Sequence, residues 1–194
     1  MIRFLLLILL VSQFFACASI GPTQKVQSLA LTQGNTEKIL AINDWRLLGR
    51  LSVRNLQQSW LTTLEWKHDA FIDDLTLSTS LGGVVAKLVY SSHGIAVSDR
   101  NGVLQRTSED ELTSLLGYSP PLEHMKYWVR GMPSPKMQVP ITKVYFDGVM
   151  VFKQDGWDVQ LERFSKLGDV VLPSKVTLTK KGLKIKLVVD KWLM

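Results

Sequence analysis

A regular alternation of apolar and polar residues runs through most of this chain from residue 44 onward, and it limits the possible folds more than any other feature. It is clearest at 45–53, where every second residue is apolar or small: Trp45, Leu47, Gly49, Leu51 and Val53. Successive side chains of a strand point to opposite faces, so this pattern predicts a half-buried strand. Comparable patterns predict strands at 60–67, 75–78, 84–91, 94–98, 102–106, 141–147, 149–153, 157–163, 171–179 and 183–192.

Short dipeptides that favour tight turns separate several of these predicted strands. The pairs are Asn101-Gly102, Asp147-Gly148, Asp155-Gly156 and Lys181-Gly182. An Asn-Gly or Asp-Gly pair between apolar runs is typical of a two-residue hairpin, and hairpins join antiparallel strands. The chain is therefore predicted to be mainly β, of the α+β class, with one highly curved antiparallel sheet or a barrel.

Helical signals interrupt the strands near the middle of the chain. Ser108 and Glu111 have the spacing of a capping box, which predicts a helix ending near Gly117. Pro121 suits the first turn of a second helix, which ends at Gly131. The sequence therefore predicts a helical insertion between two groups of strands.

Before the first strand, residues 23–42 also have a helical pattern. Apolar residues such as Val26, Leu29 and Ile39 recur among polar ones. The Gly34-Asn35 pair predicts a break in this helix.

The length and the charge of the chain restrict its class. A chain of 194 residues forms one domain of ordinary size, which can bury a substantial core. Its net charge of +6 is a mild basic excess. Such an excess suits an anionic membrane surface or a nucleic acid, and it is also typical of an ordinary solvated surface.

The N-terminus has the layout of a secretory signal: Arg3, an apolar run at 4–16, and Cys17, the single cysteine. The run is too short to span a bilayer comfortably, although a transmembrane anchor and a buried thiol are the alternatives. A cysteine in this position resembles the lipobox of bacterial lipoproteins, from which it departs at Phe14 and Phe15. This resemblance implies a signal peptide at 1–16, an acylated Cys17 and a tether at 17–22, and Ala18 implies export to the outer membrane.

The residues that usually carry catalysis do not form a recognisable motif. His68, His93 and His124 are far apart in the sequence, and we expect each at a surface or turn. Asp73 and Asp74 are adjacent, so on a strand they would face opposite ways, and as loop carboxylates they would be solvated. We find no nucleophile elbow, P-loop or dinucleotide fingerprint. The sequence therefore predicts no enzyme, no metal and no cofactor.

Apolar inner faces are what the chain does offer. It has six tryptophans, which supply wide, rigid side chains. These faces either fill an ordinary core or line a cavity for an apolar ligand inside a curved sheet. The candidate cavity residues are Trp45, Leu47, Leu51, Trp60, Leu64, Trp66, Met125 and Trp128.

Several stretches, in this order, resemble the LolB family of outer-membrane lipoprotein receptors. One is Leu-Thr-Leu-Ser-Thr-Ser-Leu-Gly-Gly at 75–83. Another is Leu-Leu-Gly-Tyr-Ser-Pro-Pro-Leu at 115–122, followed by Trp-Val-Arg-Gly-Met-Pro at 128–133. Further matches lie at 156–159, 172–176 and 183–192. The resemblance covers roughly 44–192 together with the lipobox.

This resemblance implies an unclosed antiparallel β-barrel, formed by residues 23–194, in which helices cover an apolar cavity. It implies a monomer that accepts acylated lipoproteins from the periplasmic carrier LolA and inserts them into the outer membrane. The family has a protruding loop with an exposed Leu, which Leu81 matches, followed here by Gly82 and Gly83. The Asn-Pro pair frequent before that Leu is replaced by Thr79-Ser80, which predicts a less rigid loop.

Two other functions are consistent with the residues. One is a structural envelope lipoprotein with a filled β-barrel core, which acts as an interaction module. The other is a lipoprotein hydrolase, which would require carboxylates and a histidine in one cleft. Basic strand residues such as Arg46, Arg50, Lys184 and Lys186 fit either an acidic carrier or a solvated face.

Overall fold

The computed structural model describes residues 30, 32–56, 58–98, 101–116, 118, 120–135, 144–146 and 148–194. The predicted signal peptide, Cys17 and the tether at 17–22 lie outside the described residues. The helices are α1 (Gln33–Leu40), α2 (Glu109–Leu116) and α3 (Leu122–Trp128). The strands are β1 (Trp45–Arg54), β2 (Ser59–His68), β3 (Ile72–Ser78), β4 (Val84–Ser91), β5 (Gly94–Ser98), β6 (Leu104–Thr107), β7 (Val144–Phe146), β8 (Val149–Gln154), β9 (Trp157–Leu167), β10 (Val170–Lys180) and β11 (Leu183–Leu193).

These strands form one antiparallel sheet. Its order is β6-β5-β4-β3-β2-β1-β11-β10-β9-β8-β7, so that the first and last strands of the chain pair at its centre. Strands β6 and β7 are the two edges, and in the part of the chain that the structure describes they do not pair with each other. The helices α2 and α3 lie in the connection between these edges. The predicted unclosed antiparallel fold is confirmed.

The alternation in the sequence sets the inner face of the sheet. Strand β1 buries its apolar residues at every second position, and in register Leu51 lies opposite Leu187 and Val53 opposite Ile185. On its other side Leu47 pairs with Trp66. Helix α3 buries its apolar residues in the same core as these strands. The core therefore lies between the concave face of the sheet and α3.

Gly49 is required where β1 and β11 approach each other. The register between these strands shifts between Leu48 and Gly49. A Cβ at residue 49 would lie 2.5 Å from the carbonyl oxygen of Val188, far inside van der Waals contact. Only glycine fits this central strand without displacing its neighbour.

Strand β9 is longer than the alternation predicts. The pattern predicts its end at Arg163, where the backbone has a φ of 57°. The pairing resumes beyond that residue, since Phe164 lies opposite Pro173 and Leu167 opposite Val170. A local bulge interrupts the alternation without ending the strand.

The break in the first helix lies at Thr32, two residues before the predicted Gly34-Asn35 pair: Ala30 is helical, whereas Thr32 has an extended backbone and begins a new helix. Gly34 and Asn35 lie inside α1, whose N-cap Thr32 accepts a hydrogen bond from the Asn35 backbone N–H at 3.2 Å. The buried Asn35 amide also accepts from the Val171 N–H at 2.8 Å and donates to the Val171 carbonyl at 3.1 Å. Asn35 therefore fixes α1 to β10. Residues 23–29 of the predicted helix lie outside the described part.

The predicted capping box is present at the start of α2. The Ser108 hydroxyl accepts from the Glu111 N–H at 3.1 Å, and the Glu111 carboxylate accepts from the Ser108 N–H at 2.9 Å. This hydrogen bond, with another from the Thr107 hydroxyl, lowers the pKa of Glu111. The predicted end of this helix at Gly117 lies outside the described residues. None of the helices that the structure describes is long and apolar enough to cross a membrane.

Candidate functional site

The loop between β3 and β4 exposes its leucine fully. Two backbone hydrogen bonds close the loop: the Thr79 N–H donates to the Gly83 carbonyl at 2.8 Å, and the Gly82 N–H donates to the Thr79 carbonyl at 2.9 Å. The Leu81 side chain at its tip is 97% exposed. An exposed leucine on a short closed loop is well placed to contact an apolar partner.

The residues beside Leu81 explain how the loop holds this shape. Gly82 has a φ of +89°, a conformation that favours glycine, whereas Gly83 does not have a positive φ. The Thr79 hydroxyl accepts a third hydrogen bond, from the Gly83 N–H at 3.2 Å. The replacement of the family's Asn-Pro pair by Thr79-Ser80 predicted a less rigid loop. Thr79 nevertheless constrains the loop through its hydrogen bonds.

An apolar cavity of about 60 Å³ lies between the sheet and α3. Strands β1 to β4 and β11 form one wall, and α3 with the residues before it forms the other. The cavity is far smaller than typical ligand pockets of roughly 300–1,000 Å³. Its lining residues are Leu51, Trp60, Leu75, Leu77, Leu88, Tyr118, Pro120, Leu122, Met125 and Ile185.

Three of the eight candidate cavity residues, Leu51, Trp60 and Met125, line this cavity. The structure places the others in the packed core. Trp45 contacts Trp66 and Trp192 with ring centroids 5.3 and 5.4 Å apart. Leu47, Leu64 and Trp128 are also buried in this core.

Sequence reasoning missed the remaining lining residues, although part of the signal was present. Leu75 and Leu77 alternate on β3, and in register Leu75 lies opposite Leu88. The apolar alternation could have identified these positions as facing inward. Tyr118 and Pro120 had no comparable signal because they belong to the connection before α3.

Tyr118 contributes a phenol to the otherwise apolar wall. Burial raises its pKa to about 12, from an ordinary value of 10.0, because the charged phenolate is poorly solvated there. The neutral tyrosine is therefore the form that fits the cavity wall.

We expect Tyr118→Phe to make the protein less sensitive to alkaline pH. The pKa of Tyr118 is raised in the folded protein, so its contribution to stability is complete below about pH 10 and is lost as the pH rises toward 12. Urea unfolding of both proteins across this range measures the difference. Parallel decreases in the free energy of unfolding would show that Tyr118 does not titrate in this way.

Asp73 is buried, contrary to the prediction that it is solvated, and it pairs with the partly buried His68 at the end of β2. One Asp73 carboxylate oxygen lies 2.7 Å from Nδ1 of His68 and accepts from Nε1 of Trp66 at 2.9 Å. His68 also stacks on Trp45 with centroids 5.0 Å apart. Asp74 faces the other way and pairs with Lys87 at 2.8 Å, as strand geometry predicts.

A separate, more polar cleft of about 150 Å³ is lined by His124 together with Glu109, Glu123 and Asp155. It contains the residue types that the hydrolase alternative requires. A catalytic histidine is normally oriented by a hydrogen bond through its second nitrogen. Nδ1 of His124 is buried without a hydrogen-bond partner, and its ring stacks on Trp128 at 5.6 Å. The described residues also include no group of three or more His, Cys, Asp or Glu placed to hold a metal ion.

Arg130 connects α3 to α1 beside the core. Its guanidinium donates to the carbonyls of Ile39 at 3.1 Å and Ile42 at 3.3 Å, and its carbon lies 5.7 Å from the centroid of the Trp45 ring. Burial lowers the pKa of Arg130, and the nearby Tyr127 and Asp73 raise it in part. These contacts fix the C-terminal end of α3, whereas its N-terminal end covers the cavity.

Comparison with known proteins agrees with the geometry. Residues 43–192 match the sequence model of a family described as "Outer membrane lipoprotein LolB". An outer-membrane lipoprotein LolB of Ectopseudomonas mendocina is 27% identical over 99% of this chain and 97% of its own length. Another, of Pseudomonas putida, is 28% identical over 94% of this chain and 92% of its own length. A LolA superfamily protein of Nitrosomonas europaea has a similar fold, with a TM-score of 0.50, 7% identity, and coverage of 89% and 93% of the two chains.

Proposed function

This chain belongs to the LolB family of outer-membrane lipoproteins, and on that premise we propose that it accepts acylated lipoproteins from a LolA-type periplasmic carrier and inserts them into the outer membrane. The role is binding and transfer, without catalysis. The observation that carries the proposal is the exposure of Leu81, which is 97%. A leucine so exposed on a closed loop contributes nothing to the core, and contact with lipid gives it a function.

In this proposal the apolar cavity beneath α3 receives the acyl chains. At about 60 Å³ it is too small for a long chain, so α3 has to move away from the sheet as cargo enters. Leu122 and Met125 of α3 face Leu51 and Leu75 across the cavity. These four side chains are apolar, so acyl carbon that enters between them meets apolar surface at little cost.

The energetics of acyl chains explain why such a receptor is needed. Burial of one methylene is worth roughly 0.8 kcal/mol, so one long chain is worth on the order of 10 kcal/mol. Cargo with several such chains cannot cross water at a useful rate. Transfer needs only increasing affinity from carrier to receptor to bilayer, and it does not require a nucleotide.

The lipid anchor at Cys17 and the exposed Leu81 have separate roles in this proposal. An acylated Cys17 and the tether at 17–22 hold the protein at the periplasmic face of the outer membrane. Leu81 contributes roughly 1.5–3 kcal/mol on burial, which is enough for a reversible contact with the bilayer but not for anchoring. Location therefore depends on Cys17, whereas transfer depends on the cavity and Leu81.

We expect a chain with Cys17→Ala, expressed without residues 1–16, to accept an acylated lipoprotein from its carrier in solution. The cavity binds the acyl chains and does not depend on the anchor. Co-purification of the cargo with the receptor, after incubation with the carrier–cargo complex, measures acceptance.

Two controls make this result specific. Cargo without acyl chains should stay with neither protein, since the cavity recognises lipid. If the folded receptor acquires no acylated cargo, the alternative of a structural lipoprotein with a filled core is favoured.

A further inference from the structure

A second fully exposed leucine lies at the same end of the sheet as Leu81. Leu56 belongs to the turn between β1 and β2 and is 94% exposed. The strands alternate in direction, so the β1–β2, β3–β4 and β10–β11 turns share one end of the sheet. The β2–β3 turn, with the exposed Phe71, lies at the opposite end.

The turn that carries Leu56 is held closed by hydrogen bonds. The Asn55 N–H donates to the Gln58 carbonyl at 2.9 Å, and the Gln58 N–H donates to the Asn55 side-chain oxygen at 2.7 Å. Leu56 lies next to the β10–β11 turn, since a Cβ on Gly182 would be 3.9 Å from Cγ of Leu56. An apolar tip is thus fixed beside a second turn without being buried by it.

Three exposed cations lie on the strands and the turn that adjoin Leu56. Arg54 and Lys184 lie directly opposite each other in the β1–β11 register, and Lys181 belongs to the β10–β11 turn. All three are exposed, and within the described residues none of them has a carboxylate partner within salt-bridge distance. Farther along β1, by contrast, Arg46 pairs with Glu65 at 2.8 Å and Arg50 with Asp190 at 2.8 Å.

The like charges of Arg54 and Lys184 repel each other in the free protein. Contact with an anionic surface removes this repulsion. Each cation close to the surface increases the binding affinity of the protein for it by about fivefold. A leucine surrounded by basic side chains is the arrangement that binds the interface of an anionic bilayer, where the apolar group enters the acyl boundary and the cations contact headgroups.

We propose that Leu56, with Arg54, Lys181 and Lys184, is a second membrane-docking site, specific for anionic phospholipid. This inference rests on the proposed function, because it supplies the contact that orients the receptor on the bilayer. Leu81 and Leu56 then define one membrane-facing end of the sheet. Two contacts fix the tilt of the protein, which one leucine cannot do.

The full chain allows a direct test, because Cys17 is its single native cysteine. Leu56→Cys is labelled with an environment-sensitive thiol fluorophore and reconstituted into vesicles of phosphatidylethanolamine with phosphatidylglycerol. Quenching by spin-labelled lipid reports contact with the acyl region. Phe71→Cys, at the opposite end, is the matched control, and the unsubstituted chain gives the background from Cys17. We expect quenching about tenfold stronger at residue 56 than at residue 71.

The charges are tested separately. Arg54→Gln with Lys184→Gln should lower docking of labelled residue 56 by about fivefold for each charge. Lys166→Gln with Lys191→Gln removes the same amount of charge at the opposite end of the sheet. This control should change the docking of labelled residue 56 by less than about twofold. Equal docking on phosphatidylcholine vesicles would overturn the specificity for anionic lipid.

The remaining outcomes distinguish this inference from the function on which it rests. If residue 56 stays in water while the receptor still accepts cargo from the carrier, the second docking site is wrong and the proposed function stands. If the carrier alone, without vesicles, shifts the fluorescence of residue 56, this surface binds protein rather than lipid. If no receptor accepts cargo, the proposed function itself is wrong.

Discussion

Leu81→Glu is expected to stop delivery of lipoproteins to the outer membrane while leaving the receptor folded and able to accept cargo. Because Leu81 is 97% exposed, its replacement removes no core contact, and we expect the free energy of unfolding to change by less than about 0.5 kcal/mol. The membrane contact loses the roughly 1.5–3 kcal/mol of leucine burial, and glutamate adds the cost of placing a charge near the acyl region.

Delivery is measured in a strain depleted of the native protein, by fractionating a reporter lipoprotein between the inner and outer membranes. Phe71→Glu is the matched control, since Phe71 is 81% exposed in a turn at the opposite end of the sheet. It should support normal delivery. If the Leu81→Glu receptor delivers the reporter as well as the Phe71→Glu receptor does, the role assigned to the loop is wrong.

The sequence predicted the sheet well because the sheet is a local pattern repeated many times. The alternation at 45–53 identifies the buried face of β1 without reference to any other strand, and the hairpin dipeptides predict which neighbours pair. The capping box at Ser108 and Glu111 is equally local, and both of its hydrogen bonds are formed. The helix breaks at Thr32 rather than at Gly34-Asn35, because Thr32 caps α1 and a distant partner, Val171, satisfies the Asn35 amide inside α1.

The position of the cavity could not be predicted in the same way. Whether an inward residue contacts another side chain or empty space depends on how α3 crosses the sheet, which is a long-range property. Trp45 and Trp66 have the same alternation as Leu51, yet their rings pack against each other whereas Leu51 faces the cavity. The rings of Trp45, Trp66 and Trp192 fill the space at one end of the sheet. Elsewhere the inward side chains, most of them leucines, leave a cavity between the sheet and α3.

The pairing of His68 with the buried Asp73 was missed for a related reason. A histidine or an aspartate taken alone is typical of a solvated position. Here each polar side chain leaves solvent because the other provides a hydrogen-bond partner. Cross-strand register brings them together, since residue 68 of β2 lies opposite residue 73 of β3. Two polar residues five positions apart in a hairpin can be recognised as a pair only when the register of the two strands is known.

Asp73→Ala is expected to destabilise the protein by about 3 kcal/mol, a large part of the total stability of a domain of this size. The Asp73 side chain is 5% exposed, and one of its oxygens contacts both Nε1 of Trp66 and Nδ1 of His68. Alanine leaves those buried nitrogens without their acceptor, and each such loss costs about 1–3 kcal/mol. The midpoint and slope of urea unfolding measure the effect.

The adjacent residue provides the comparison, because it shares the strand and the charge but not the burial. Asp74 pairs with Lys87 at 2.8 Å on the solvated face, so Asp74→Ala should cost less than about 1 kcal/mol. Asp73→Asn retains an acceptor for Trp66 and should recover about half of the loss. Equal destabilisation by Asp73→Ala and Asp74→Ala would mean that the buried contacts of Asp73 do not stabilise the hairpin. If instead Asp73→Ala alone unfolds readily, the β2–β3 hairpin depends on this carboxylate, and the strand that leads to Leu81 depends on it as well.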